Sequence, residues 1–142
     1  MMVIDASALI KLVLEEEHSK ETRAIVNGEL SKGESIIAPE LVFTEALNTI
    51  RTQSMSSKKL AGKELDAAVD DLFETFIRID PVSTVEIGRN ALKISMEHKL
   101  TVYDAVYIAS SLLKGAPLLT FDKDMALAAR RLNVEVIGYP GN

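Results

Sequence analysis

Short runs of aliphatic and β-branched residues alternate with longer amphipathic segments along the chain, and this alternation constrains the fold more than any other feature. Five short runs are typical of β-strands: residues 2–4, 35–38, 77–79, 118–121 and 134–137. Parallel strands need long crossover connections, and helices supply them. The pattern therefore predicts an α/β protein with a five-stranded parallel sheet between two layers of helices.

Seven segments between these runs show helical periodicity or helix-capping signals. The predicted helices cover about residues 6–16, 19–30, 39–53, 57–76, 84–97, 101–114 and 124–132. Pro39 suits the first position of the third helix, and Ser56 or Ser57 is the expected N-cap of the fourth. No repeat, low-complexity tract or linker divides the chain, so residues 1–142 are interpreted as one domain.

Composition excludes several kinds of site. The chain has no cysteine, which rules out disulfides, thiolate zinc sites and a cysteine nucleophile. Its two histidines, His18 and His98, show no metal-ligand spacing. No signal peptide or membrane span is recognised, so a cytoplasmic location is expected. The net charge of −5 is unusual for a nucleic-acid binder, so such a role must depend on a local basic rim or a bound metal.

Ligands bind to parallel sheets beyond the carboxyl ends of the strands, and two of four candidate acids are predicted at such ends. Asp5 and Asp122 each follow a predicted strand, and Glu45 and Asp104 lie at the margins of apolar helix faces. Four converging carboxylates repel one another unless a cation compensates their charge. Such a set suits a hard divalent cation such as Mg²⁺, which can activate water for attack on a phosphodiester.

Each acid also has a simple structural explanation. Asp5 and Asp122 are suitable N-caps for the helices that follow them. Thr101 and Asp104 are spaced as in a capping box, with Asp in place of the usual Glu. Glu45 alone fits a solvated helix position. The hypothesis of a shared site therefore depends on the set and on its placement at the sheet.

Further polar residues fit supporting roles near these acids. The hydroxyls of Ser7 and Thr120 are placed to hydrogen-bond a carboxylate, although a helix start and β-propensity explain them equally well. Asn48 lies one turn beyond Glu45 and is expected to orient it. Asp124 is interpreted as a first-turn residue favoured by the helix dipole or as a fifth acid beside the metal.

Four segments of the chain contain these acids, and the segments occur in the same order as in the members of a known family. They are residues 3–7, Val-Ile-Asp-Ala-Ser; 39–48, from Pro39 to Asn48; 101–107, from Thr101 to Tyr107; and 118–122, Leu-Leu-Thr-Phe-Asp. With these segments the sequence resembles the PIN-domain family, and specifically its VapC-type toxin ribonucleases. The resemblance spans almost the whole chain.

This resemblance implies a sheet of strand order 3-2-1-4-5 and a Mg²⁺ or Mn²⁺ site. The implied metal-binding and catalytic residues are Asp5, Glu45, Asp104 and Asp122. It also implies an endoribonuclease that cleaves RNA, forms a homodimer and is blocked by a cognate antitoxin protein.

Few basic residues are available for an RNA path. Arg51 and Lys123 are expected to contact RNA, together with a lysine cluster formed by Lys58, Lys59 and Lys63. A solvated charged face is their simpler explanation, although a dimer would join two modest rims into one groove. The apolar residues around the fourth helix suit either core or a partner surface: Leu60, Leu65, Val69, Leu72 and Phe73.

Three other functions remain as alternatives. An aspartyl phosphatase of the haloacid-dehalogenase type has a second Asp two residues after the first, where this chain has Ser7. A receiver-like domain needs an Asp after the third strand, where Asp80 stands, and a lysine near Ile137, where none occurs. A catalytically silent PIN-like module that binds protein or RNA would keep all the residues described above.

Overall fold

The computed structural model describes residues 1–56 and 60–139, which form twelve elements. They are β1 (Met2–Ile4), α1 (Ala6–Val13), α2 (Ser19–Ser31), β2 (Ile36–Pro39), α3 (Leu41–Met55), α4 (Gly62–Phe76), β3 (Ile79–Val82), α5 (Thr84–His98), α6 (Val102–Lys114), β4 (Leu118–Thr120), α7 (Lys123–Arg131) and β5 (Val136–Gly138).

The five strands form one parallel sheet in the order β3-β2-β1-β4-β5. The strand order implied by the resemblance is therefore confirmed. The chain moves from β1 outward through β2 and β3, and then returns to β4 on the other side of β1. The reversal falls between β1 and β4, where Ile4 pairs with Leu119. This is the place where ligands bind in open parallel sheets.

Helices cover both faces of the sheet, which confirms the three-layer architecture. Helix α1 packs against α2, α3 and α4, whereas α6 packs against α5 and α7. Both α1 and α6 contact β4. Every residue of β1, β2 and β4 is buried, as expected for strands covered on both faces. The buried sheet therefore holds the carboxyl ends of β1 and β4 rigidly beside each other.

Pro39 does not begin the third helix, as the sequence predicted, but ends β2. It pairs with Val82 of the edge strand β3, and α3 begins at Leu41. Proline has no N–H to donate to the ladder. The next residue supplies the bond instead, because the backbone N–H of Glu40 donates to the carbonyl of Val82 at 3.0 Å.

The prediction for the third strand was also wrong. The strand covers Ile79–Val82, because Ile77 still belongs to the end of α4 and donates its N–H to the carbonyl of Phe73. Asp80 and Pro81 lie inside the strand, not in a turn after it. An edge strand accepts proline, since one side of its backbone has no partner strand.

Ser56 is not the N-cap of the fourth helix. It is the C-cap of α3, and α4 begins at Gly62 after the N-cap Ala61. Ser57, the other predicted cap, lies outside the described residues. Helix α1 also ends earlier than predicted, at Val13.

The apolar residues around α4 belong mostly to the core. Leu72 is fully buried, and Leu60, Leu65 and Val69 pack against the core cluster. Phe73 differs from them, because 52% of its surface is exposed. Among the described residues, none of the helices has the length and apolarity needed to cross a bilayer.

Candidate active site

Asp5 joins the end of β1 to the start of α1. Its backbone N–H donates to the carbonyl of Leu119 on the neighbouring strand at 3.2 Å. Its side chain is the N-cap of α1, since Oδ1 accepts from the backbone N–H of Ala8 at 2.9 Å. Only 2% of the residue is exposed. The predicted capping role is therefore confirmed, and it places a carboxylate at the point where strand order reverses.

Two hydroxyl groups hold the Asp5 carboxylate, as predicted for Ser7 and Thr120. Ser7 Oγ lies 2.7 and 2.9 Å from its two oxygens, and Thr120 Oγ1 donates to Oδ2 at 2.5 Å. Both hydroxyl oxygens accept in turn, Ser7 from the N–H of Phe121 and Thr120 from that of Asp122. This network joins the carboxyl ends of β1 and β4.

Asp122 stands two residues beyond β4 and begins α7. It is the N-cap of that helix, because Oδ1 accepts from the backbone N–H of Met125 at 2.8 Å. The residue is half-buried. Its capping role is therefore confirmed as well, and no bond to Oδ2 from a described residue is present.

Glu45 reaches the same region from the middle of α3. It is half-buried, and its Oε1 accepts a hydrogen bond of 2.5 Å from the hydroxyl of Tyr107 on α6. Tyr107 is only 1% exposed. Asn48, the expected orienting residue, is exposed and makes no hydrogen bond to Glu45. Tyr107 therefore holds Glu45, and its packing fixes where the carboxylate lies.

Asp104 lies in the first turn of α6, three residues before Tyr107. Its backbone N–H donates to Oγ1 of Thr101 at 3.2 Å, so Thr101 is the N-cap of this helix as the capping-box spacing predicted. Residues three apart share one face of a helix. Asp104 and the Tyr107–Glu45 pair therefore lie on the same side of α6.

Burial disfavours the charged form of these acids. It raises the pKa of Asp5 to about 6, against the opposing effect of its hydrogen bonds, and the charge of Asp122 raises it further. Burial also raises the pKa of Glu45, where the Tyr107 hydrogen bond opposes the effect and the charge of Asp104 adds to it.

The pKa of Asp104 is raised in the same way, first by burial and then by the charge of Asp122. The charge of Asp122 thus raises the pKa of both Asp5 and Asp104, and the charge of Asp104 raises the pKa of Glu45. The four predicted acids therefore share one negative field. Asp124 is exposed in the first turn of α7, as the dipole explanation expects, and its charge also raises the pKa of Asp104.

No positive side chain among the described residues forms an ion pair with these four acids. In residues 1–56 and 60–139, ion pairs to lysine, arginine, histidine or the N-terminus involve other acids. A set of carboxylate oxygens without a basic partner has the chemistry that Mg²⁺ and Mn²⁺ prefer. The donor set therefore fits a hard divalent cation.

The carboxylates do not enclose a cation as they stand. No cluster of three or more acidic or histidine side chains in the described part of the chain has a metal-holding arrangement. A carboxylate offers about four acceptor positions, and Asp5 uses three of them for Ser7, Ala8 and Thr120. One position remains, so Asp5 can offer one further acceptor position to a cation.

The basic residues expected near RNA lie around this region without pairing to its acids. Arg51 on α3 and Lys123 at the start of α7 are exposed and form no ion pair within the described ranges. Lys63 is exposed in the first turn of α4. The other two members of the lysine cluster, Lys58 and Lys59, lie outside the described residues.

Two features near the acids were not predicted from the sequence. One is the role of Tyr107, for which its spacing of three residues from Asp104 is the available signal. The other is a stack beside Asp122, in which His18 lies 5.3 Å from the ring of Phe121 and Lys11 Nζ lies 4.8 Å from the same ring. Phe121 is far from the other two residues in the sequence, so no local sequence pattern predicts this contact.

The sequence and the fold are similar to those of known proteins. The chain is 29% identical over 125 residues to Ribonuclease VapC3 of Pyrobaculum aerophilum, which covers 88% of this chain and 92% of that protein. The structure of VapBC2 from Rickettsia felis, bound to a DNA fragment from their promoter, is similar with a TM-score of 0.70 at 10% identity, over 97% of this chain and 98% of that one.

A second similar structure is VapC20 of Mycobacterium tuberculosis, described as a sarcin-ricin loop cleaving toxin. Its TM-score is 0.68 at 16% identity, over 90% of this chain and 95% of that one. Such low identities show the fold alone. Residues 2–131, however, match the sequence profile of the PIN domain. Because this match covers nearly all of the chain, the protein belongs to the PIN-domain family.

Proposed function

We propose that this protein is a metal-dependent endoribonuclease that uses Asp5, Glu45, Asp104 and Asp122 as its metal-binding and catalytic residues. The observation that carries the proposal is the set of four electrostatically coupled carboxylates without a basic partner, at the reversal between β1 and β4. The similarity to a protein named Ribonuclease VapC3 supports RNA as the substrate.

The proposed cofactor is Mg²⁺ or Mn²⁺, held by the four carboxylates. When bound, such an ion lowers the pKa of water and stabilises the negative charge that develops at phosphorus. Asp5 is the most strongly fixed ligand, because Ser7, Thr120 and the N–H of Ala8 orient it. Glu45 accepts from Tyr107 with Oε1 and is the proposed proton acceptor, since burial raises its pKa.

The proposal extends to partners and location. Similar structures include VapBC2 and FitAcB, whose names denote assemblies, and a protein described as a toxin. We therefore infer a toxin with a cognate antitoxin protein that covers the acids, acting in the cytoplasm. A homodimer is also proposed, because α5 presents the exposed apolar side chains Val85, Leu92 and Met96.

Cleavage of a mixed RNA pool tests the proposal directly. The purified protein is assayed with Mg²⁺ or Mn²⁺, with EDTA, and as Asp5→Asn, which keeps a good helix N-cap. Cleavage that needs the metal and is lost in Asp5→Asn, with an unchanged circular dichroism spectrum, is the expected result.

Two other outcomes have defined meanings. Normal metal-dependent cleavage by Asp5→Asn would overturn the residue assignment. A folded native protein that neither cleaves RNA nor binds Mn²⁺ would favour the catalytically silent PIN-like binding module instead.

A further inference from the structure

A groove of about 450 Å³ lies between the α5–α6 connection and α7, and one of the four acids, Asp104, lines it. Asp124 and Arg131, which both line it, are seven residues apart on α7. That separation is two helical turns, about 10 Å, on a single face of the helix. The groove therefore extends from Asp104 and Asp124 along α7 to Arg131.

The side chains that line the groove change from acidic to apolar to basic along this path. Leu127 and Ala128 lie between Asp124 and Arg131 on the same face of α7, and Leu100 adds a further apolar side chain. The end of α5 contributes the basic residue Lys99. The path thus passes from carboxylates over an apolar surface to positive charge.

The basic residues of the groove have no acidic partners. Lys99, Arg131 and the neighbouring His98 form no ion pair with any residue in the described ranges. By contrast, Lys11 and Arg23 elsewhere on the protein are paired with glutamates. In a chain with a net charge of −5, the unpaired side chains of Lys99 and Arg131 form a local positive site for an anion.

We propose that this groove binds the nucleotide next to the cleaved phosphodiester of a single-stranded RNA, with a phosphate on Lys99 and Arg131 and the ribose or base on Leu100 and Leu127. The proposal rests on the proposed ribonuclease function and adds the direction in which the RNA leaves the acids. The groove volume falls in the range of small-ligand sites.

This path differs from the one expected from the sequence, which relied on Arg51 and Lys123. Those residues do not line the groove. Lys99 and Arg131 are 32 positions apart in the chain, and only the packing of α7 beside the α5–α6 connection brings them to one groove.

The test compares RNA binding by two double variants in an Asp5→Asn background, which keeps the RNA intact. The groove variant is Lys99→Asn with Arg131→Gln. Asparagine suits position 99, because Lys99 has a φ of +55°. The matched control is Lys20→Gln with Arg78→Gln, which removes the same charge from exposed residues outside the groove.

Fluorescence anisotropy with a short labelled single-stranded RNA of mixed sequence is measured over a range of salt concentrations. For the groove variant, Kd should rise roughly tenfold, and the slope of log Kd against log salt should fall by about 0.7, the value for one phosphate contact on a single strand. The control should stay within about twofold of the Asp5→Asn parent, with the same slope.

An equal loss in both variants would show a general charge effect and overturn the groove, as would an unchanged Kd in the groove variant. If the groove variant loses affinity but the native protein cleaves nothing, the groove stands and the nuclease proposal fails. If neither the Asp5→Asn parent nor the native protein binds RNA, the groove proposal and the nuclease proposal are both overturned. If the double variant does not fold, Lys99→Asn and Arg131→Gln are measured singly, each with half the slope change.

Discussion

The buried carboxylate of Asp5 makes the metal-free protein sensitive to pH. Its pKa is raised from 3.8 to about 6 in the folded state, chiefly by burial. Between these two values the folded state holds the proton more tightly than the unfolded state does, so the free energy of unfolding falls as pH rises. Above about pH 6 the loss is complete, and it amounts to at most about 3 kcal/mol.

Thermal unfolding in EDTA from pH 4 to 7 measures this effect. The melting temperature of the native protein is expected to fall as the pH rises, whereas Asp5→Asn should fall less and be the more stable protein at pH 7. Some dependence remains in the variant, because the pKa values of Glu45 and Asp104 are raised as well. Identical pH profiles for native protein and Asp5→Asn would contradict the prediction, and Asp80→Asn, at an exposed position, is the control.

Removing one oxygen atom tests the role of Tyr107. Tyr107→Phe keeps the buried ring but deletes the hydroxyl that donates to Glu45. Because a hydrogen bond to a charged group contributes about 1.5–3 kcal/mol, Mn²⁺ affinity should fall roughly tenfold or more. Isothermal titration with Mn²⁺ measures this change independently of RNA cleavage.

The matched control for this variant is Tyr103→Phe, which removes the hydroxyl of an exposed tyrosine on the same helix. It should bind Mn²⁺ like the native protein. Equal affinities for Tyr107→Phe and Tyr103→Phe would show that the bond to Glu45 does not position a ligand.

At the scale of single residues, the sequence predicted local roles better than tertiary ones. The capping roles of Asp5 and Asp122 could be predicted because a cap and its N–H lie within three residues. The Tyr107–Glu45 bond spans 62 positions and depends on how α3 and α6 pack. The prediction that Asn48 orients Glu45 relied only on their one-turn spacing along α3. The hydroxyl that holds Glu45 comes instead from another helix.

Among the secondary-structure elements, β5 supports the site through Gly138. This glycine has a φ of +101° and pairs with Thr120. An added Cβ would lie 2.8 Å from the carbonyl oxygen of Thr120, which is closer than van der Waals contact allows. The position therefore accepts only glycine without a shift of the strand that carries the Thr120 hydroxyl.

Gly138→Ala should consequently lower both stability and metal affinity. A residue forced to a positive φ costs about 1–3 kcal/mol, before any displacement of β4 is added. Chemical denaturation and Mn²⁺ titration measure the two effects. Gly28→Ala is the control, since nothing lies within 4 Å of an added Cβ in α2. Normal Mn²⁺ binding by Gly138→Ala would show that β5 does not support the site.

The elements themselves could be predicted from alternation, but their ends could not. Every predicted strand and helix has a counterpart in the structure. The errors at Pro39 and at the third strand arise because a strand end is set by the ladder it joins. Pro39 pairs with Val82, a partner 43 positions away, which overrides its preference for a helix start.

For the whole molecule, a bound cation should stabilise the fold. Ion binding to the folded state alone adds about 2.7 kcal/mol at a concentration one hundred times Kd. Mn²⁺ should therefore raise the melting temperature, and more at pH 7 than at pH 5, because protonation of Asp5 competes with the ion. Differential scanning fluorimetry with Mn²⁺ and EDTA measures the shift, which Asp5→Asn should lack. A shift of the same size in Asp5→Asn would place the ion elsewhere.

The bond between Thr120 and Asp5 joins residues 115 positions apart. The ribosome therefore makes Asp5 long before Thr120 and Asp122, so a growing chain has one strand of the site before it has the other. Until β4 has left the ribosome and paired with β1, the proposed site is incomplete. The chain then does not cleave RNA, including the messenger from which it is being translated. The order of synthesis thus delays the proposed activity until β4 has been made and has paired with β1.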